Sequence, residues 1–129
     1  MKTAKQLVAE ANAIIQTRSL GEARTMLGQD DVVFVDIRDP REISRDGTIP
    51  GAFRAPRGML EFWVDPESPY HKPIFASGKS FVFFCASGWR SALATRAVQE
   101  MGLGKVSHIK GGFSAWKEEG NPVEALPEQ

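Results

Sequence analysis

SFVFFCASGWRSALATRAVQEM, residues 80–101, decides the fold of this chain. Its first part, SFVFFC, is a short run of aromatic and β-branched residues, as suits a strand buried on both faces of a sheet. Its last part, ALATRAVQEM, sets Leu93, Ala97, Val98 and Met101 at helical spacing, which predicts that this stripe faces the sheet. Between them lies a polar turn that opens at Cys85, the one cysteine of the chain, and ends at Arg90 and Ser91. A strand that runs through a short loop into a helix gathers backbone N–H groups and the positive helix end at one point. Cys85 stands where its sulfur meets that point.

Such surroundings favour the thiolate, the nucleophilic form of a cysteine. Gly88 supplies a residue that tolerates the positive φ a cradle of N–H groups requires. Arg90 falls in the first turn of the helix, where a cation opposes the macrodipole at roughly 0.3–1 kcal/mol. The position therefore predicts an anion in the loop. The backbone amides of Ala86, Ser87, Gly88, Trp89 and Arg90 are the candidate contacts for it. The hydroxyls of Ser87 and Ser91 add further donors, although Ser91 is equally placed to cap its own helix. Trp89 is a docking surface if exposed and plain packing if buried. The bland reading of Cys85 is a small buried hydrophobe. Gly88, Arg90 and the strand–loop–helix setting weigh against it.

CASGWRS (85–91) resembles the Cys-x-x-Gly-x-Arg-Ser/Thr active loop of the rhodanese-like sulfurtransferases. VDIRDPRE (35–42), GTIPGA (47–52) and GGFSAW (111–116) agree with further motifs of that family, in its order, so the resemblance spans about 18–120. One departure is Thr48, where the family often has His. The resemblance implies an α/β rhodanese-like domain. Its mainly parallel central sheet has about five strands, with helices on both faces. It also implies that Asp36 and Arg38 are scaffold residues, as expected for charges that brace a strand end. Four residues separate Cys85 from Arg90. The resemblance gives this spacing to sulfurtransferases and a longer one to phosphatases of the same fold. The expectation is a sulfurtransferase that moves sulfane sulfur from thiosulfate or a persulfide donor to cyanide or a thiol, through a Cys85 persulfide. Arg90 then orients the donor or braces the loop. A thioredoxin-like or desulfurase protein is an equally compatible partner. A binding or regulatory module that does no chemistry, and a phosphatase or arsenate reductase, are the alternatives.

A chain of 129 residues suits one domain with one core. Sixteen basic and sixteen acidic side chains cancel, so no net field favours nucleic acid or an anionic membrane. A lone cysteine excludes an internal disulfide and suits a reducing, cytoplasmic setting. No apolar run reaches about 18 residues, and the amphipathic N-terminal pattern lacks the h-region of a signal peptide. No cofactor is implied. His71 and His108 have no Cys or carboxylate cluster to join them, so no metal is expected.

Along the chain, residues 3–14 read as a helix packed on its own domain or on a partner, and it is the element best placed to set the oligomeric state. IIQTRS offers an edge strand, and Ser19 with Glu22 forms a capping box for a helix that ends at Gly28. VVFVDI (32–37) is a second buried strand, with a charge cluster of Asp36, Arg38, Asp39, Arg41 and Glu42 at its carboxyl end. Phe53 to Ala55 reads as a short strand. The resemblance implies that the proline-broken segment after it forms a wall over the loop, where Arg57, Phe62, Trp63, Tyr70 and His71 meet a substrate; the alternative is that Phe62 and Trp63 fill core while Arg57 is solvated. KVSHI (105–109) reads as a strand, and Phe113 and Trp116 as core residues near the close-approaching Gly111 and Gly112. The tail 121–129, with Pro122 and Pro127, reads as loosely held.

Overall fold

The computed structural model describes residues 1–126. A helix, α1 (Ala4–Ile14), precedes an edge strand β1 (Gln16–Arg18), and α2 (Leu20–Met26) leads to β2 (Val32–Asp36). After α3 (Pro40–Asp46) come β3 (Phe53–Arg54), α4 (Leu60–Val64) and a 3₁₀ turn, Pro73–Ala76. The chain closes with β4 (Ser80–Phe84), α5 (Trp89–Glu100), β5 (Val106–Ile109) and α6 (Gly112–Glu118). All strands pair in parallel in one five-stranded sheet of order β1-β5-β4-β2-β3.

Local chemistry explains where the helices start. Thr3, Ser19 and Asp39 each accept from the third residue of the helix they open, and Gln6, Glu22 and Glu42 return a bond to the cap's own N–H. Each such cap is worth about 1 kcal/mol. Gly28 (φ 87°) and Gly102 (φ 97°) take the left-handed conformation just past the ends of α2 and α5.

The two-residue period of β4 splits its side chains between two cores. Phe81 and Phe83, with Cys85 beyond the strand, join Val35, Leu60, Phe75 and Val98 on one face. Val82 and Phe84 join Ala23, Phe34, Ile109, Phe113 and Trp116 on the other. Phe81, Phe83 and Phe84 are essentially inaccessible, and burying each contributes about 1.5–3 kcal/mol. That is why the strand that delivers Cys85 is the centre of the sheet.

The face that α5 buries differs from the expected stripe. Ser91, Ala92, Ala94, Thr95 and Val98 are buried, whereas Leu93 is half-buried toward α1 and Met101 is exposed. Small residues win because the helix lies close both to the sheet and to α1, where Val8, Ala11 and Ala92 cluster. Thus α1 packs on its own domain. The tail is also tighter than its sequence implies. The Trp116 indole donates to Pro122 O at 2.7 Å, and residues 48 and 124 exchange backbone hydrogen bonds of 2.9 and 2.8 Å. Pro127 lies outside the described residues.

At the end of β2, Asp36 and Arg38 form a fully buried pair. The guanidinium donates to both carboxylate oxygens, at 3.0 and 2.7 Å, and to Gly47 O at 2.7 Å. Thr48, the departure from the family pattern, is buried and donates to Asp36 Oδ2 at 2.7 Å. The Arg38 guanidinium also lies 4.3 Å from the centre of the Phe113 ring. A buried ion pair is tolerable only when its remaining lone pairs and protons are satisfied in this way.

Gly112 (φ 65°) is the tightest point of the fold, because a Cβ there would stand 2.6 Å from the carbonyl oxygens of both Cys85 and Ala86. Gly51 (φ 75°) has the same handedness with nothing within 4 Å. Gly112→Ala should therefore cost about 2 kcal/mol or more in urea unfolding, and Gly51→Ala distinctly less, since only the first adds a backbone clash to the strain. Equal costs would show that handedness alone matters at Gly112.

Candidate active site

Cys85 follows β4 at the carboxyl edge of the sheet. The β4–α5 connection runs toward β5 and the β2–α3 connection toward β3, so the ends of β2 and β4 are the switch point of the sheet, where open α/β sheets place a ligand crevice. The loop is held from behind. Phe113 N donates to Cys85 O at 2.8 Å and Ser114 N to Ala86 O at 3.0 Å. With its first two carbonyls turned toward α6, the loop turns N–H groups toward the sulfur. Gly88 N and Ser91 N donate to Cys85 Sγ at 3.2 and 3.3 Å. Gly88 is the N-cap of α5, in the left-handed conformation (φ 106°), and no side chain caps this helix. The sulfur takes the cap's role, accepting from the orphan amides of the first turn.

Ser91 is therefore not a helix cap. Its Oγ lies 3.5 Å from Cys85 Sγ and 2.9 Å from His108 Nδ1. His108 Nε2 lies 2.9 Å from Asn12 Oδ1 and 3.3 Å from Thr17 Oγ1. Burial pushes the imidazole down to about 4 from its ordinary value of 6.5. Burial thus favours the neutral ring as long as no negative charge forms beside it.

The anion that the position of Arg90 calls for is supplied by the protein. Arg90 donates to both oxygens of Glu42, each at 2.8 Å, so the pair joins the first turns of α5 and α3 across the crevice. Hydrogen bonds from Arg90 hold the Glu42 carboxyl down at about 2, with the Asp39 N–H assisting, and the same pairing raises Arg90 above its ordinary value.

Beside the loop lies a cleft of about 560 Å³, lined by Ser87, Trp89, Lys110, Glu22, Asn12 and His108 among others. Trp89 is half exposed and Ser87 is exposed, so both face this space. The proline-broken segment stands apart from it. Arg57 does not line the cleft. Its guanidinium is held by Glu61 at 2.7 Å and its N–H by Ile37 O. Phe62 and Tyr70 are exposed, whereas Trp63 packs edge-on against Phe53 beneath Lys72. His71, half-buried, is on this segment and far along the fold from His108 on β5.

The sequence reading names Cys85, Gly88, Ser91 and Arg90, which the structure gathers at one turn, but does not name Glu42, Asn12 or Lys110 as partners, and it considers His108 only in setting aside a metal pair with His71. Glu42 was visible within the charge cluster at the end of β2. Nothing in the sequence joins Asn12 to His108.

A family model described as Rhodanese-like domain matches residues 19–119. The chain belongs to that family. A sulfurtransferase of Allochromatium vinosum is 33% identical over 96 residues, which span 74% of this chain and 81% of that one. Human thiosulfate:glutathione sulfurtransferase is 31% identical over 108 residues, spanning 79% of this chain and 93% of the relative. A solved structure from Rhodopseudomonas palustris CGA009, described as of unknown function and a possible tyrosine phosphatase, is 56% identical with a TM-score of 0.94, covering 96% of each chain. A rhodanese-related protein of Thermoplasma volcanium, 23% identical, shares the fold with a TM-score of 0.69 over 86% of this chain and 99% of that one.

The Glu42–Arg90 pair predicts an acid-sensitive link. The folded-state value of Glu42 lies below its ordinary 4.5, so its contribution is fully present above about 4.5 and is lost as pH falls toward about 2. Gln retains the capping geometry without the charge. In urea unfolding at pH 7, Glu42→Gln should be less stable than wild type by about 0.5–1 kcal/mol, because Arg90 is partly solvated. The gap should close between pH 4.5 and 2; a gap that persists at pH 2 would remove charge as its cause.

Proposed function

We propose that this protein is a sulfurtransferase that carries sulfane sulfur on Cys85. The observation that carries the reading is the convergence of the Gly88 and Ser91 amides on Cys85 Sγ in a loop with only four residues between Cys85 and Arg90. The Cys85 thiolate attacks the outer sulfur of thiosulfate. The sulfur–sulfur bond of the donor breaks and sulfite leaves with the electron pair. A Cys85 persulfide remains, its negative outer sulfur stabilised by the N–H groups of residues 86–91. A thiolate or cyanide then attacks that sulfur and restores the Cys85 thiolate. The covalent intermediate gives ping-pong kinetics.

The cleft beside the loop is the route for the acceptor, with Ser87, Trp89 and Lys110 along its side. A thiol acceptor agrees with the human relative, whose name specifies glutathione. Exposed Trp89 gives a thioredoxin-like or desulfurase partner a surface to meet. Arg90 braces the loop, because Glu42 takes both of its terminal nitrogens. A reducing, cytoplasmic setting suits a site that works through one free thiol.

The phosphatase description of the Rhodopseudomonas palustris protein gives the second reading its one support. Against it stand the short loop and an Arg90 already neutralised by Glu42, since phosphoryl transfer needs a cation free to meet the transferring group. Intact mass after incubation with thiosulfate separates these cases. Wild type should gain one sulfur atom, lost on adding a thiol, and Cys85→Ser should gain none. No gain, together with hydrolysis of an aryl phosphate, would establish the phosphatase instead; no gain and no hydrolysis would leave a binding module.

A further inference from the structure

We propose that His108 is the proton acceptor for Cys85, reached through the Ser91 hydroxyl, and that Asn12 fixes the imidazole tautomer that makes the transfer possible. The proposal deepens the sulfurtransferase reading, since it assigns the origin of the thiolate that the reading requires.

The directions of the hydrogen bonds follow from the partners. Asn12 Oδ1 only accepts, so Nε2 of His108 carries the ring proton. In the neutral imidazole Nδ1 is then a bare lone pair, and it accepts from the Ser91 hydroxyl at 2.9 Å. With its proton committed to His108, Ser91 Oγ has lone pairs free to accept from the Cys85 thiol at 3.5 Å. The chain runs one way, from thiol to hydroxyl to imidazole.

Transfer along it balances without any outside reagent. The S–H bond breaks and its proton goes to Ser91 Oγ as the original hydroxyl proton passes to Nδ1. The S–H electron pair stays on sulfur. The products are the Cys85 thiolate and the His108 imidazolium, with Ser91 again neutral. Every donor keeps a partner. The hydroxyl now donates to sulfur, Nδ1–H donates to Ser91 Oγ and Nε2–H still donates to Asn12 Oδ1. The Gly88 and Ser91 amides, which face the sulfur, bond better to a thiolate than to a thiol. Burial disfavours an isolated imidazolium here, but transfer creates both charges together, one hydroxyl apart, and leaves no net buried charge.

The groups around the ring support this role. Ser91 belongs to α5, Thr17 to β1 and Asn12 to α1, and the charged side chains on the cleft it faces are Glu22 and Lys110. His108 is 3% exposed, whereas Asn12 is exposed on α1. Asn12 lies outside residues 19–119, the part matched by the family model, so the last member of the relay comes from the added helix.

His108 and Asn12 act through Ser91 and are positioning residues, so the test reads protonation. The ultraviolet absorbance of the thiolate, taken as the difference from Cys85→Ser, is followed against pH with no sulfur donor present. Ser91→Ala and His108→Gln should each move the thiolate transition to higher pH by about one unit, a tenfold loss of thiolate below the midpoint. Asn12→Ala should move it in the same direction by less. By ¹⁵N NMR, the wild-type His108 ring should keep its second proton well above pH 4 while Cys85 is a thiolate, and be neutral above about pH 4 in Cys85→Ser, where no thiolate can form. An unmoved transition in Ser91→Ala and Asn12→Ala, both folded by thermal unfolding, overturns the relay even if His108→Gln does not fold. Sulfur uptake is measured separately by mass. A shifted transition without uptake would keep the relay and overturn the transfer, and uptake with an unmoved transition would do the reverse.

Discussion

The site depends on where two carbonyl groups point. Cys85 O and Ala86 O accept from the first amides of α6, and that bond pattern turns the loop so that its own N–H groups face the sulfur. A polar turn of this length has donors and acceptors in equal number, and all of them need partners when buried. Giving the acceptors to α6 leaves the donors for a ligand. Gly112 is required because the carbonyls approach where any Cβ would stand. The facing of the loop's N–H groups toward the sulfur is thus set by a helix that follows the loop by more than twenty residues.

Two guanidinium–carboxylate pairs hold the frame around this loop and do different work. Asp36 and Arg38 are wholly buried, fully hydrogen bonded and packed on Phe113, so they tie the end of β2 to the helix that orients the loop. Such a pair contributes specificity more than net stability, since desolvation offsets much of the attraction. Glu42 and Arg90 lie at the rim, where water screens them, and they span the crevice between β2 and β4. Glu42, the third residue of the α3 capping box, also neutralises the cation in the first turn of α5, which settles why a guanidinium is tolerated in that turn.

Much of this architecture was legible in the residues because it rests on local chemistry. The capping box of Ser19 and Glu22, the left-handed Gly28 and Gly102, and the apolar runs of β2 and β4 each act over a few residues and need no distant partner. What went unread involved a partner far along the chain. Of the stripe Leu93, Ala97, Val98 and Met101 only Val98 is fully buried; the sheet takes Ala94 beside it and the close approach of α1 takes Ala92. The tail reads as free because its backbone partner, Thr48, lies far upstream, and because the Trp116 indole, although near in sequence, reaches Pro122 O only once the tail folds back on α6.

The sequence by itself determined the parallel α/β class, the place of the one cysteine at the end of a buried strand and the glycine-containing loop that follows it. Strand burial, helix capping and the Cys–Gly–Arg spacing are all written within short windows. Only the tertiary structure decided what surrounds the sulfur. Glu42 meets Arg90 across 48 residues, His108 meets Ser91 across 17 and Asn12 meets His108 across 96. Side-chain hydrogen bonds act over about 3 Å, and whether two residues come that close depends on how the layers stack, which no local pattern records.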